Sequence, residues 1–136
     1  HKLKLGNIAL ELQLAENLPS VHCDGSQIQQ VVLNLVLNAS ESMQSQGTGT
    51  VTVKSWPGAD GNSANLSVSD TGDGIPADIL PRIFDPFFTT KPQGIGMGLP
   101  ISRSIIEAHG GRLWAERNEP HGAVFQFVLP TRVQGQ

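Results

Sequence analysis

The spacing of apolar residues changes several times along the chain, and each change marks an element. Ile8, Leu10 and Leu12 alternate with polar neighbours, the two-residue period of a strand with one buried face. After the turn residues of "ENLPS", a second short strand is predicted over 21–24. From 25 to 46 the period lengthens. Ile28, Val31, Val32, Leu35, Val36, Ala39 and Met43 recur at steps of three and four, an amphipathic helix for which Asp24 or Ser26 offers the N-cap. The β-rich runs 50–56 and 64–70, joined by "PGADGN", predict a hairpin. A short helix is expected over 78–84. Residues 85–97 contain Pro86, Pro92 and several glycines with no period, which predicts a functional loop acting as a lid. Ile101, Ile105, Ile106 and His109 return to helical spacing as far as the stop at Gly110-Gly111, and 113–116 with 123–129 predict a closing hairpin. The order ββαββααββ predicts a mixed sheet with helices on one face, an α+β sandwich of two layers.

Composition sets the frame for any function. The 136 residues suit one domain, and an apolar share of 38% with 15 glycines is ordinary globular usage. Nine basic and twelve acidic residues give a net charge of −3 with no run of like charge, so neither nucleic acid nor an anionic membrane is an expected partner. Any phosphate must be held locally. The lone Cys23 excludes an internal disulfide, and no apolar stretch has the length of a membrane span or the pattern of a signal peptide. A cytoplasmic location is expected, as a piece of a longer protein.

Three stretches carry candidate chemistry. On the long helix Gln27, Gln30, Asn34, Asn38, Glu41 and Ser45 form one stripe, and two asparagines sit inside the otherwise apolar "VVLNLVLNAS". The stripe is either a solvated face or a place where an amide oxygen, a hard neutral ligand, completes the coordination of Mg²⁺ brought by a nucleotide. Leu66, Val68 and Asp70 share one strand face, so a carboxylate ends an inward-facing row, directly before "DTGDGIP" with its turn residues Gly72 and Gly74. A buried carboxylate needs a donor, and an adenine amino group is one. In "GIGMGLPIS" Gly94, Gly96 and Gly98 lead into a helix, leaving backbone N–H groups to face phosphates at the positive end of the helix dipole. Pro100 suits the first helical turn.

Taken in order, these stretches resemble the ATP-binding catalytic domain of sensor histidine kinases, within the wider group of gyrase, mismatch-repair and heat-shock chaperone ATPases. Residues 34–43 resemble that family's asparagine box, "DTGDGIP" its first glycine box, "IFDPFFTTK" its phenylalanine box and "GIGMGLPIS" its second glycine box. The resemblance implies a Bergerat-type α/β sandwich, ATP with Mg²⁺ as ligands, and transfer of the γ-phosphoryl group to a histidine. Asn38 would ligate Mg²⁺, Asp70 would bind the adenine amino group, and Gly72, Gly74 and Ile75 would line the base. Gly96 and Gly98 would contact phosphates, with Gly94, Met97 and Leu99 also among the nucleotide-binding residues, while Phe84, Phe87 and Phe88 would anchor the lid. Lys91 lies in that lid, and its charge suits it to reach the phosphates.

Some positions depart from the family pattern. Glu41 stands where many relatives have a basic residue, Ala123 where a Thr is frequent in the final strand, and Pro100 where a small residue is frequent. "FFTTKP…GMGL" followed by "SRSIIEAHGG" is most similar to kinases of nitrogen- and oxygen-sensing systems. Asn34 takes the position at which ATP-hydrolysing members have a Glu as general base; an amide cannot accept a proton, whereas an acceptor histidine already has a lone pair. His22, His109 and His121 show no metal spacing and read as structural, and no histidine here sits in a phosphoacceptor context. The implied partners are therefore the dimerisation and phosphoacceptor domain of a parent chain and a downstream response regulator. The alternatives are a self-sufficient ATPase and a regulatory module that binds nucleotide without transferring phosphate.

Overall fold

The computed structural model describes residues 2–5, 7–21, 23–43, 46–86 and 98–131. Six strands and two helices follow in the order β1 (Lys2–Leu5), β2 (Ile8–Gln13), α1 (Gly25–Ser42), β3 (Gly49–Pro57), β4 (Ser63–Asp70), α2 (Gly98–Ala108), β5 (Arg112–Arg117) and β6 (Ala123–Pro130). The strands form one sheet in the order β1-β2-β3-β4-β6-β5. All neighbours are antiparallel except β2 and β3, which run parallel with Ile8 opposite Gly49 and Leu12 opposite Val53. Parallel neighbours require a crossover, and α1 supplies it.

Both helices cover the same face of this mixed sheet. Alternate residues of β6, Ala123, Phe125, Phe127 and Leu129, are buried with Val51, Val53 and Val68 beneath Val31, Leu35 and Ala39 of α1 and Ile106 of α2. The two-residue period of the strands and the three-to-four-residue period of the helices thus meet in one core, the expected two-layer α+β sandwich.

Helix α1 starts where its capping chemistry dictates. Asp24 is extended, and its Oδ1 accepts from the backbone N–H groups of Ser26 at 3.1 Å and Gln27 at 3.3 Å and from the Ser26 hydroxyl at 2.8 Å. The Ser26 hydroxyl and these amides hold the Asp24 carboxyl below the usual aspartate range. The helix ends at Ser42, short of the expected 46. Met43 turns fully into the core, and Gly47, at φ 78°, accepts the left-handed conformation that leads the chain into β3. Helix α2 ends with Gly110 at φ 81° and the Gly111 N–H on the Ile106 carbonyl at 3.0 Å, the glycine stop expected from its sequence.

Two expectations need correction. Val21, Cys23 and Asp24 lie outside the sheet: β2 is already paired on both sides, by β1 and β3, so no edge remains for them there. The second strand before α1 is instead Lys2–Leu5, antiparallel to β2. The short helix expected over 78–84 is a 3-10 turn, Leu80–Arg82. Pro81 has no N–H to continue an α-helical ladder, and three-residue steps (Ile79 to Pro76, Arg82 to Ile79, Asp85 to Arg82) take its place.

Candidate functional site

A cleft opens between the C-terminal half of α1 and the sheet, lined by Asn38, Ser42, Asp70, Gly74, Ile75, Ala123 and Phe125. Asp70 is its chemical centre. It closes the inward row of β4 and is only 3% exposed. Its Oδ1 accepts from the N–H of Gly72 at 2.9 Å and of Ala123 at 3.2 Å, and the Ser42 hydroxyl lies near enough to favour the carboxylate as a third donor. Burial pushes the Asp70 carboxyl above its ordinary value, opposed by these three donors and by the nearby His121. A carboxylate is thereby fixed in orientation on the wall of a cleft, ready to accept a hydrogen bond.

The wall opposite Gly72 comes from the turn between β5 and β6. Asn118 Nδ2 donates to the Asp70 carbonyl at 2.8 Å, and a ring nitrogen of His121 lies 3.2 Å from the Gly72 carbonyl. Gly122, at φ 107°, lies so close that a Cβ would collide with the Asp70 carbonyl. Gly74, at φ 81°, faces Gly122 in turn, and a Cβ there would stand 2.9 Å from the Gly122 carbonyl. Two backbones approach each other here as only glycine permits.

Asn38 and Asn34 point to different tasks. Asn38 lines the cleft, whereas Asn34, one turn earlier, donates through Nδ2 to the Ser102 Oγ at 3.3 Å, and Ser102 of α2 is fully buried. Asn34 therefore links the two helices. Of the other candidate residues, Gly72, Gly74 and Ile75 gather at the cleft, and Phe84 packs edge-on against Phe125 with centroids 6.3 Å apart while the Arg103 guanidinium lies 5.1 Å from its ring. Gly98 opens α2 exposed to solvent, and Leu99 packs against the core. Phe87, Phe88, Lys91, Gly94, Gly96 and Met97, with the expected lid, lie outside the described residues.

Ser42, Asn118, His121 and Gly122 belong to the site and were not among the residues the sequence singled out for it. Ser42 carried a signal, since it follows Asn38 by four positions and so shares its helix face. The other three sit in "NEPHG", which reads as an ordinary turn. Among the described residues, no three His, Cys, Asp or Glu side chains converge on a possible metal position, and no helix is long and apolar enough to cross a membrane.

A mixed sheet with both helices on one face, and a buried aspartate at the end of β4 beside an asparagine of α1, define a class. The chain belongs to the family of histidine kinase-, DNA gyrase B- and HSP90-like ATPases, whose pattern matches residues 23–133. Within it the chain is homologous to sensor histidine kinases. It is 48% identical to the sensor protein FixL of Bradyrhizobium diazoefficiens over 124 residues, 91% of this chain and 24% of FixL. It thus spans about a quarter of that relative's length. The nucleotide-free catalytic domain of the histidine kinase ThkA superposes with a TM-score of 0.80 at 40% identity, covering 92% of this chain and 80% of that one. ThkA has also been solved with the response regulator TrrA, with a TM-score of 0.75 at 33% identity over 96% of this chain and 36% of that one. Full-length ShkA in complex with AMPPNP matches with a TM-score of 0.79 at 29% identity, over 94% of this chain and 27% of ShkA.

Proposed function

We infer that this chain binds ATP with Mg²⁺ and is the nucleotide-holding half of a protein-histidine kinase, donating the γ-phosphoryl group to a histidine on a separate dimerisation domain of its parent. The observation that carries this reading is the Asp70 carboxylate. It is buried, held by two backbone N–H groups, and set in a cleft that the polar side chains of Asn38 and Ser42 also line. An exocyclic amino group is the donor such a carboxylate suits, and Gly74, Ile75 and Phe125, which line the same cleft, leave a largely apolar wall for a planar base.

The donor set also fits a metal that arrives with its nucleotide. A single neutral amide oxygen from Asn38 is a weak Mg²⁺ site alone and an adequate one when phosphates supply further oxygens. Bound there, the ion would neutralise phosphate charge. From the second glycine stretch, Gly98 begins α2, and the N-terminal end of a helix dipole favours an anion. Lys91 adds charge in the same sequence region. Asn34 gives its amide to Ser102 and offers no base for water, which weighs against a self-sufficient ATPase and for an acceptor that brings its own lone pair. A response regulator as the eventual phosphoryl recipient follows from the same reading, and the relative ThkA forms a complex with the response regulator TrrA.

Calorimetry with a non-hydrolysable ATP analogue, with and without Mg²⁺, tests the proposal. Binding in wild type and its loss in Asp70→Asn support it. Absence of binding under both conditions would overturn it.

A further inference from the structure

Ser42 is the last residue of α1, half-buried, and among the described residues the one that lines the cleft with a hydroxyl. Its single proton faces two acceptors, the Ala39 carbonyl at 2.8 Å and the Asp70 carboxylate. The two side chains meet beside Gly72: a Cβ placed there would lie 3.1 Å from the Ser42 Oγ and 3.2 Å from the Asp70 Oδ1. On the facing strand, Ala123 brings a methyl group and an N–H already given to Asp70. The cleft therefore presents, side by side, one fixed acceptor and one hydroxyl free to rotate between partners.

An acceptor next to a donor is the complement of an amidine edge, in which an amino group adjoins a ring nitrogen carrying a lone pair. Adenine has this edge. We propose that Ser42 is a specificity-determining residue, whose hydroxyl turns from the Ala39 carbonyl to donate to the adenine ring nitrogen adjoining the amino group held by Asp70. This rests on the reading of the cleft as an adenine site. It adds a second contact that distinguishes the ring nitrogen from a C–H at the same place, which the carboxylate alone does not.

The test is a calorimetric comparison of two ligands on two proteins. The ligands are ATP and the deaza analogue in which the ring nitrogen beside the amino-bearing carbon is replaced by C–H; the proteins are wild type and Ser42→Ala. Alanine is a good helix former, and thermal melting reports whether the variant is folded. Wild type is expected to prefer ATP by about three- to tenfold, the value of one neutral hydrogen bond, and Ser42→Ala to bind both ligands equally. If Ser42 merely steadied Asp70, the variant would weaken both ligands alike and keep their ratio. That result, or a wild type without preference, overturns the assignment while leaving the adenine reading in place. A wild type that binds neither ligand overturns both.

Discussion

The backbone N–H of Asp24 donates to Nε2 of His109 at 3.0 Å, joining the N-cap of one helix to the C-terminal end of the other. Because that N–H can only donate, Nε2 must accept, so the proton sits on Nδ1 and goes to the Ile105 carbonyl at 2.8 Å. The imidazole is thus a structural bridge, as its lack of metal spacing suggested. His109→Ala is expected to destabilise the fold by about 1 kcal/mol, read as a lower midpoint in denaturant at unchanged slope. An unchanged midpoint would show that water replaces the ring at no cost.

Asp70→Asn separates stability from binding. The amide oxygen can still accept from Gly72 and Ala123, so the fold should persist. Burial raises the folded-state value of this carboxyl above the unfolded one, so its ionisation opposes folding. Its unfavourable contribution appears as pH rises through the ordinary aspartate value and is complete above the raised one. The variant should therefore gain stability relative to wild type at neutral pH and show no such gain in acid. Thermal melts at both pH values check the sign. Nucleotide affinity should fall about ten- to hundredfold, since an amide N–H would now face the amino group.

Asn38→Ala should spare binding measured in EDTA and remove most of the increase that Mg²⁺ brings. Equal losses with and without the metal would assign Asn38 to the base and not to the ion.

Gly122→Ala addresses the close approach of two chain segments. With φ at 107° and the Asp70 carbonyl in the way, the substitution should cost more than about 1 kcal/mol and displace the β5–β6 turn from the cleft. Denaturant melts and nucleotide titration should both change. A stable variant with intact affinity would mean that the turn has room to relax.

Incubated with labelled ATP, the isolated chain should acquire no label and release little phosphate, because Asn34 is no base and the proposed acceptor histidine belongs to a separate dimerisation domain. Added as a separate polypeptide, the parent's dimerisation helices should become labelled on histidine, with an acid-labile, alkali-stable adduct. Brisk phosphate release that disappears in Asp70→Asn would instead identify an ATPase.

What could be read from the sequence follows a physical division. Periodicity marked the faces of α1 and β4, because burial imposes a repeat that residues obey one by one; the inward row ending at Asp70 is an instance. Local chemistry also narrowed the cap to Asp24 or Ser26, of which Asp24 serves, and marked the stop at Gly110-Gly111. Contacts between distant segments leave no such trace. Nothing in "NEPHG" says that Asn118 and Gly122 close on the Asp70 carbonyl, and nothing near 21–24 says that β2 has no edge left. Ser42 lies between these cases, on the right helix face but with its carboxylate partner 28 positions away.

The last strand in sequence is not last in space, because β6 inserts between β4 and β5. During synthesis, β4 therefore waits with one edge unpaired until residues near 130 have left the ribosome, and the cleft wall at Ala123 and Phe125 does not exist before then. Under the proposed function nucleotide capture requires completed folding, and a chain stopped short of β6 is expected to present an aggregation-prone strand edge in place of a smaller working domain.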